Sequence, residues 1–199
     1  MLSDQATVAE LTLASNDWLT SIEGRAGAAK TTTVRAIREF AENRGYAVCG
    51  FAPTTRAVKS PSEAGVSART LAALLEAHSK DAQTKRIWIV DESSLLSTLQ
   101  VNRLLHKARE DGVKRIIFVG DQRQHHAIEA GRPIHQIQEA GMSVARLDTI
   151  RRQSDPELRE AVMHAAKGEV AQSLAFLERR GDIREVGDPE QRRKQIARE

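Results

Sequence analysis

The sequence predicts an α/β fold, a parallel sheet with helices on both faces, followed by a small helical C-terminal extension. Three observations carry this. Short apolar runs alternate with helical patterns along residues 1–153, the arrangement that builds parallel sheets. Several runs are almost continuously apolar, as strands buried on both faces are. Polar clusters stand where such strands end, at Lys30-Thr31, Thr54–Arg56, Asp91-Glu92, Asp121–Gln124 and Arg152. Ligands bind beyond the C-terminal strand ends of sheets of this kind.

In chain order, residues 3–14 read as a short helix capped by Ser3 or Asp4, with Gln5 near its start. Residues 18–22 read as a strand running into the Gly-Ala-rich stretch 24–31. From Thr31 to Asn43, Val34, Ile37, Phe40 and Ala41 share one helical face, and Gly45 ends the helix. Residues 46–52 form a buried strand. A helix is expected to begin near 54 and to break or kink at Pro61. Ala68-Arg69-Thr70 is a short strand before a helix at 71–78, and 79–85 is a polar loop. Strand 86–90 precedes a helix of roughly 98–110 stopped by Gly112. Strand 114–119 precedes a polar loop, a helix opened by Pro133, and a short strand at 144–147. Ser154-Asp155-Pro156-Glu157 is a capping box that starts a helix of about 155–166. A helix at 170–180, a strand at 182–186 and a charged last helix opened by Asp188-Pro189-Glu190 follow.

The chain has 199 residues, enough for one domain with an appendage. A net charge of +3 permits a nucleic-acid partner, and a mildly basic solvated surface explains it equally well. Aromatics are 4% of residues, too few for a base-stacking platform. Cys49 is the only cysteine, which excludes a disulfide framework and a cysteine zinc site, and it reads as a core residue. The six histidines show no metal-ligand spacing. No signal peptide and no membrane-length apolar run are seen, so a cytoplasmic protein with no membrane partner is expected.

Gly24-Arg25-Ala26-Gly27-Ala28-Ala29-Lys30-Thr31 follows the phosphate-loop pattern G-x-x-x-x-G-K-[ST], with Ala29 in place of the second glycine. Such a loop aims backbone N–H groups at phosphates, and the helix that follows adds partial positive charge. Lys30 would reach the β- and γ-phosphates and Thr31 would hold Mg²⁺. A Gly/Ala turn into an ordinary helix accounts for the stretch taken alone. Asp91-Glu92 ends an apolar strand: one carboxylate would bind Mg²⁺ and the other would accept a proton from attacking water. Acids that merely favour a helix N-terminus are the plainer reading. Gln124 is placed to touch the γ-phosphate and the attacking water, or it belongs to a turn with no chemical role. Arg151-Arg152 can supply positive charge to a transition state, although exposed arginine pairs are more often just solvated.

Taken together, Gln5, 24–31, Ala52-Pro53-Thr54-Thr55-Arg56-Ala57, Val90-Asp91-Glu92-Ser93-Ser94, Val119-Gly120-Asp121-Gln122-Arg123-Gln124 and Ile150-Arg151-Arg152-Gln153 resemble the ordered motifs of RecD-like superfamily 1 helicases. The stretches 91–94, 127–131 and 152–162 are most similar to the helicase part of conjugative relaxase–helicases. The resemblance implies a RecA-like P-loop NTPase domain at 1–153 and a helical extension at 154–199, the start of a following region. It implies ATP and Mg²⁺ as cofactors. Gln5 would read adenine; Gly24, Gly27, Ala29, Lys30 and Thr31 would hold phosphates; Thr31 and Asp91 would hold the metal. Glu92, Gln124 and Arg152 would be catalytic. Thr54, Thr55, Arg56 and Thr70 would lie along single-stranded DNA.

Three departures qualify this. If position 29 needs φ > 0, alanine costs roughly 1–2 kcal/mol there, and weak or absent Mg-ATP binding is expected. Pro61 interrupts the DNA-facing helix. No second RecA-like domain and no relaxase domain follow, so the sequence reads as a fragment of a motor that does not unwind DNA alone. The competing reading is a non-catalytic, helicase-derived module that binds single-stranded DNA with a disabled nucleotide site. A different P-loop enzyme such as a kinase fits less well, because Thr54–Arg56 and Gly120–Gln124 stand together.

Overall fold

The computed structural model describes residues 3–24, 29–77, 85–121, 131–147, 156–166, 168–183 and 188. They fall into two compact units, Met1–Arg152 and Gln153–Glu199.

The first unit is built on a six-stranded sheet: β1 (Leu19–Gly24), β2 (Ala47–Ala52), β3 (Ser67–Thr70), β4 (Arg86–Val90), β5 (Arg115–Gly120) and β6 (Ser143–Leu147). The order is β3-β2-β4-β5-β1-β6, and every pairing is parallel. Alternation along β4 and β5 shows why these runs are wholly apolar. Ile87, Ile89, Ile117 and Val119 face one core, while Trp88, Val90, Ile116 and Phe118 face the other.

The first core is closed by α1 (Ser3–Ala14) and α2 (Lys30–Glu42) through Val8, Ala9, Val34, Ile37 and Ala41. Val34, Ile37 and Ala41 fall on one stripe of α2, as helical spacing requires. The second core takes α4 (Leu71–Leu75), α5 (Thr98–Glu110) and α6 (Pro133–Glu139). Its centre is Phe51 edge-on to Trp88, with centroids 5.0 Å apart, a geometry worth about 0.5–1.5 kcal/mol beyond burial. Cys49 is half-buried against this core.

Two local rules were missed by reading the sequence. The helix expected from 54 does not start there: residues 55–58 form turns, and α3 spans only Lys59–Glu63. Pro61 is buried inside its first turn, where a missing N–H costs nothing, so it belongs to the helix rather than breaking it. Ser97 and Gln100 form a reciprocal capping box at the start of α5, with bonds of 3.3 and 3.0 Å. The box foreseen at 154–157 lies partly outside the described residues, as do the strand at 182–186 and the last helix. Strand β1 runs two residues further than expected, through Gly24.

The C-terminal end of α5 holds an almost fully buried ion pair, Lys107 Nζ to Asp111 Oδ1 at 3.0 Å. The second unit pairs α7 (Pro156–Ala166) with α8 (Val170–Arg179). His164 stacks on Phe176 at 5.8 Å and bonds Glu169 at 2.6 Å. Among the described residues no helix is long and apolar enough to cross a membrane.

Candidate functional site

Parallel pairing puts all six strand C-termini at one edge of the sheet. Glu23 is in register with Gly120, and Val90 with Phe118, so β1, β5 and β4 deliver their last residues side by side. Gly24, Gly120-Asp121 and Asp91-Glu92 therefore meet along one rim, with Ala29-Lys30 opening the helix that follows β1.

Gly24 closes β1, and Ala29 begins α2 as its N-cap, with no side-chain cap bond. Ala29 has φ 57° and ψ 34°, the left-handed conformation that glycine adopts freely. Alanine here keeps the backbone shape of the missing glycine at the cost of strain. Its carbonyl accepts the Thr33 N–H at 3.1 Å and the Thr33 hydroxyl at 3.3 Å. Lys30 is the first helical residue, and its Nζ donates back to the Gly24 carbonyl at 2.9 Å, spanning the loop. Thr31 follows, half-buried. Gln5 lies in the first turn of α1. Gly27, Gln124 and Arg152 lie outside the described residues.

Asp91 is buried, its N–H donating to the Phe51 carbonyl at 2.8 Å. Its Oδ1 accepts the Glu92 N–H at 2.9 Å. Glu92 has φ 50° and ψ 38°. Among the described residues, Ala29 and Glu92 are the two non-glycines with positive φ. Backbone strain of this kind gathers at functional sites. Ser93, buried, follows in a 3-10 turn. A Cβ on Gly120 would stand 3.1 Å from Ser93 Oγ, a tight contact, so glycine suits the close approach of β5 to this turn. The left-handed Glu92 and the Ser93–Gly120 contact were not foreseen, and no short motif signals either.

Mg²⁺ prefers oxygen donors and usually combines one or two carboxylates with substrate phosphates. Thr31 and Asp91 are donors of that type, and the described residues hold no His/Cys/Asp/Glu cluster able to bind a metal unaided. The donor set therefore fits a metal delivered with a phosphate ligand.

The DNA candidates lie farther along the same edge. Thr54, Thr55 and Arg56 are exposed in the turn after β2, and Thr70 is half-exposed at the end of β3. Thr54 Oγ1 accepts the Ala57 N–H at 3.2 Å, and Thr70 Oγ1 accepts the Ala73 N–H at 3.2 Å as the N-cap of α4. Both hydroxyls keep a proton to donate.

The family model described as an AAA domain matches residues 1–188. Over 191 residues the chain is 35% identical to a conjugal transfer protein TraA of Rhizobium radiobacter, covering 94% of this chain and 17% of that protein. It is 32% identical over 190 residues to the multifunctional conjugation protein TraI of Escherichia coli K12, covering 89% of this chain and 11% of that protein. The chain thus spans less than a fifth of these relatives. It is also similar to domain III of the replication initiation protein DnaA of Thermotoga maritima, with 18% identity and a TM-score of 0.46 over 84% of this chain and 68% of that one.

Proposed function

The chain belongs to the AAA domain family and is homologous to the conjugal transfer proteins TraA and TraI, and from that premise we propose that it is the ATP-binding motor domain of a single-stranded-DNA translocase or helicase in conjugative DNA transfer. One observation carries the reading: three adjacent parallel strands bring Lys30-Thr31, Gly120-Asp121 and Asp91-Glu92 to one rim. Phosphates would lie against the loop and the start of α2, with Lys30 leaving the Gly24 carbonyl to meet them. Thr31 and Asp91 would hold Mg²⁺, which neutralises developing charge. Glu92 would accept the proton of the attacking water, Gln124 would orient that water, and Arg152 would stabilise the transferred phosphoryl group. Gln5 would contact the base. Thr54, Thr55, Arg56 and Thr70 would bind the phosphates of single-stranded DNA, a sequence-independent and salt-dependent affinity.

A motor of this class works across two RecA-like domains, so a second such domain, and a relaxase domain, are its proposed partners within a longer protein. The helical unit 153–199 would lead towards them.

Ala29 supports a second reading, a DNA-binding module with a disabled nucleotide site, because an alanine methyl replaces the glycine of the loop pattern at a left-handed position. Calorimetric titration of Mg-ATP into the chain and into Lys30→Ala tests the first reading. Binding by the parent that Lys30→Ala abolishes is expected. Equal binding by both would overturn the loop assignment. No binding by the parent, with salt-dependent retention of single-stranded DNA on filters, would put the second reading first.

A further inference from the structure

A cavity of about 450 Å³ opens at the other edge of the sheet, where the strands begin. Its walls are the C-terminal parts of α1 and α2 and the residues that start β2, β4 and β5. The volume falls within the roughly 300–1,000 Å³ of small-molecule sites. The lining is chemically divided. Leu13, Phe40, Tyr46 and Ile87 supply an apolar wall. Arg44, Lys114 and Arg115 supply three cations against one acid, Glu10.

Arg115 is the telling residue. Its Nη1 donates to the Thr12 carbonyl at 2.6 Å and its Nη2 to the Ser15 carbonyl, so it ties down the end of α1. Both bonds go to neutral carbonyls, so the guanidinium keeps its full charge beside the cavity, where it would attract an anion. Burial pulls this guanidinium below its ordinary pKa, with Tyr46 and Asp17 opposing the shift. Arg44 lies 6.0 Å above the Phe40 ring, so a cation already sits over the aromatic wall.

We propose that this cavity is a binding site for a small amphipathic anion, its apolar body against Leu13, Phe40, Tyr46 and Ile87 and its acidic head between Arg115, Lys114 and Arg44. The site is separate from the nucleotide rim. Lys30 and Phe40 are ten residues apart on α2, about 15 Å along its axis. The two sites can therefore be filled together, and this proposal does not depend on the nucleotide reading.

Fluorescence titration with 8-anilinonaphthalene-1-sulfonate, an aromatic anion, tests it on the full chain without nucleotide. A saturable site of one probe per chain is expected. Decanoate should displace the probe, while decyltrimethylammonium, with the same tail and opposite charge, should not. Ala14→Trp places an indole over the opening from the exposed end of α1, and Lys114→Glu reverses an exposed charge at the head position. Each should weaken binding by about tenfold or more, with circular dichroism unchanged. Saturating Mg-ATP should leave probe binding unaltered. Lys114→Glu carries the test alone if Ala14→Trp does not fold. Absence of a saturable site, equal displacement by both tails, or full binding by the folded variants would each overturn the proposal.

Discussion

Ala29→Gly separates two effects that the sequence joins. The left-handed conformation costs an L-residue roughly 1–2 kcal/mol. Ala29 adopts it in the folded chain, so the cost is carried by the native structure. Glycine removes the strain but frees the unfolded chain, which returns about 0.4–1 kcal/mol. The net gain is about 0.5–1 kcal/mol, and a chain of this size should melt about 1–4 °C higher. With the same loop conformation in the free and bound chain the strain cancels, and the affinity for Mg-ATP should then change only through the lost methyl, by no more than about tenfold. Thermal melting followed by circular dichroism, paired with calorimetry, reads both quantities. A melting point that is unchanged or lower would refute the strain argument. A gain in affinity of a hundredfold or more would show that the methyl itself blocks the phosphate.

The same logic applied to Glu92 predicts that Glu92→Gly also raises the melting point, by a similar amount, while removing the carboxylate from the rim. Lys107→Ala strands the buried Asp111 carboxylate and should cost about 3–5 kcal/mol in urea unfolding; a loss below about 1 kcal/mol would show that the pair is solvated. Thr70→Ala should cost about 1 kcal/mol through the lost cap of α4, and Thr70→Ser should restore it; equal stability of the two variants would refute the cap. Asp17 is held below its ordinary pKa by hydrogen bonds from Ser143 and Ser15, with Arg115 adding to them. A lowered folded-state value means that its stabilisation is complete above the unfolded value near 3.8 and is lost as pH falls through the folded value. Asp17→Asn should therefore flatten the acid limb of stability below about pH 4, which melting curves across pH 2–5 would detect.

The strands were legible because wholly apolar runs such as Ile87–Val90 have few other uses. The rim was legible for the same reason: once the strands are known, the acids and the lysine can only fall at their ends. What the sequence hid is backbone geometry. Nothing in Asp91-Glu92-Ser93 announces a left-handed glutamate, because glutamate has no intrinsic preference for that conformation. Pro61 was misread because a proline's meaning depends on its position within a helix, and that position is fixed by a turn held together at Thr54 and Ala57. Ala29 is the opposite case: the departure from pattern was plain in the sequence, and the structure shows the left-handed backbone that makes alanine costly there.

The placement of β1 has a kinetic consequence. Its neighbours are β5 and β6, so Leu19 finds its partner at Ile116 and Thr20 at Ser143, about a hundred residues or more later. Long loops must close before these pairings form, and such topologies fold slowly. During synthesis, at about 5–20 residues per second, the strand leading into residues 24–31 would wait roughly 5–25 s for its partners. Until then both its edges stay open, a target for chaperones or for another nascent chain. The segment that organises the rim is thus among the last to be locked in place, and substitutions in β5 or β6 should lower the yield of native protein more than their equilibrium cost suggests.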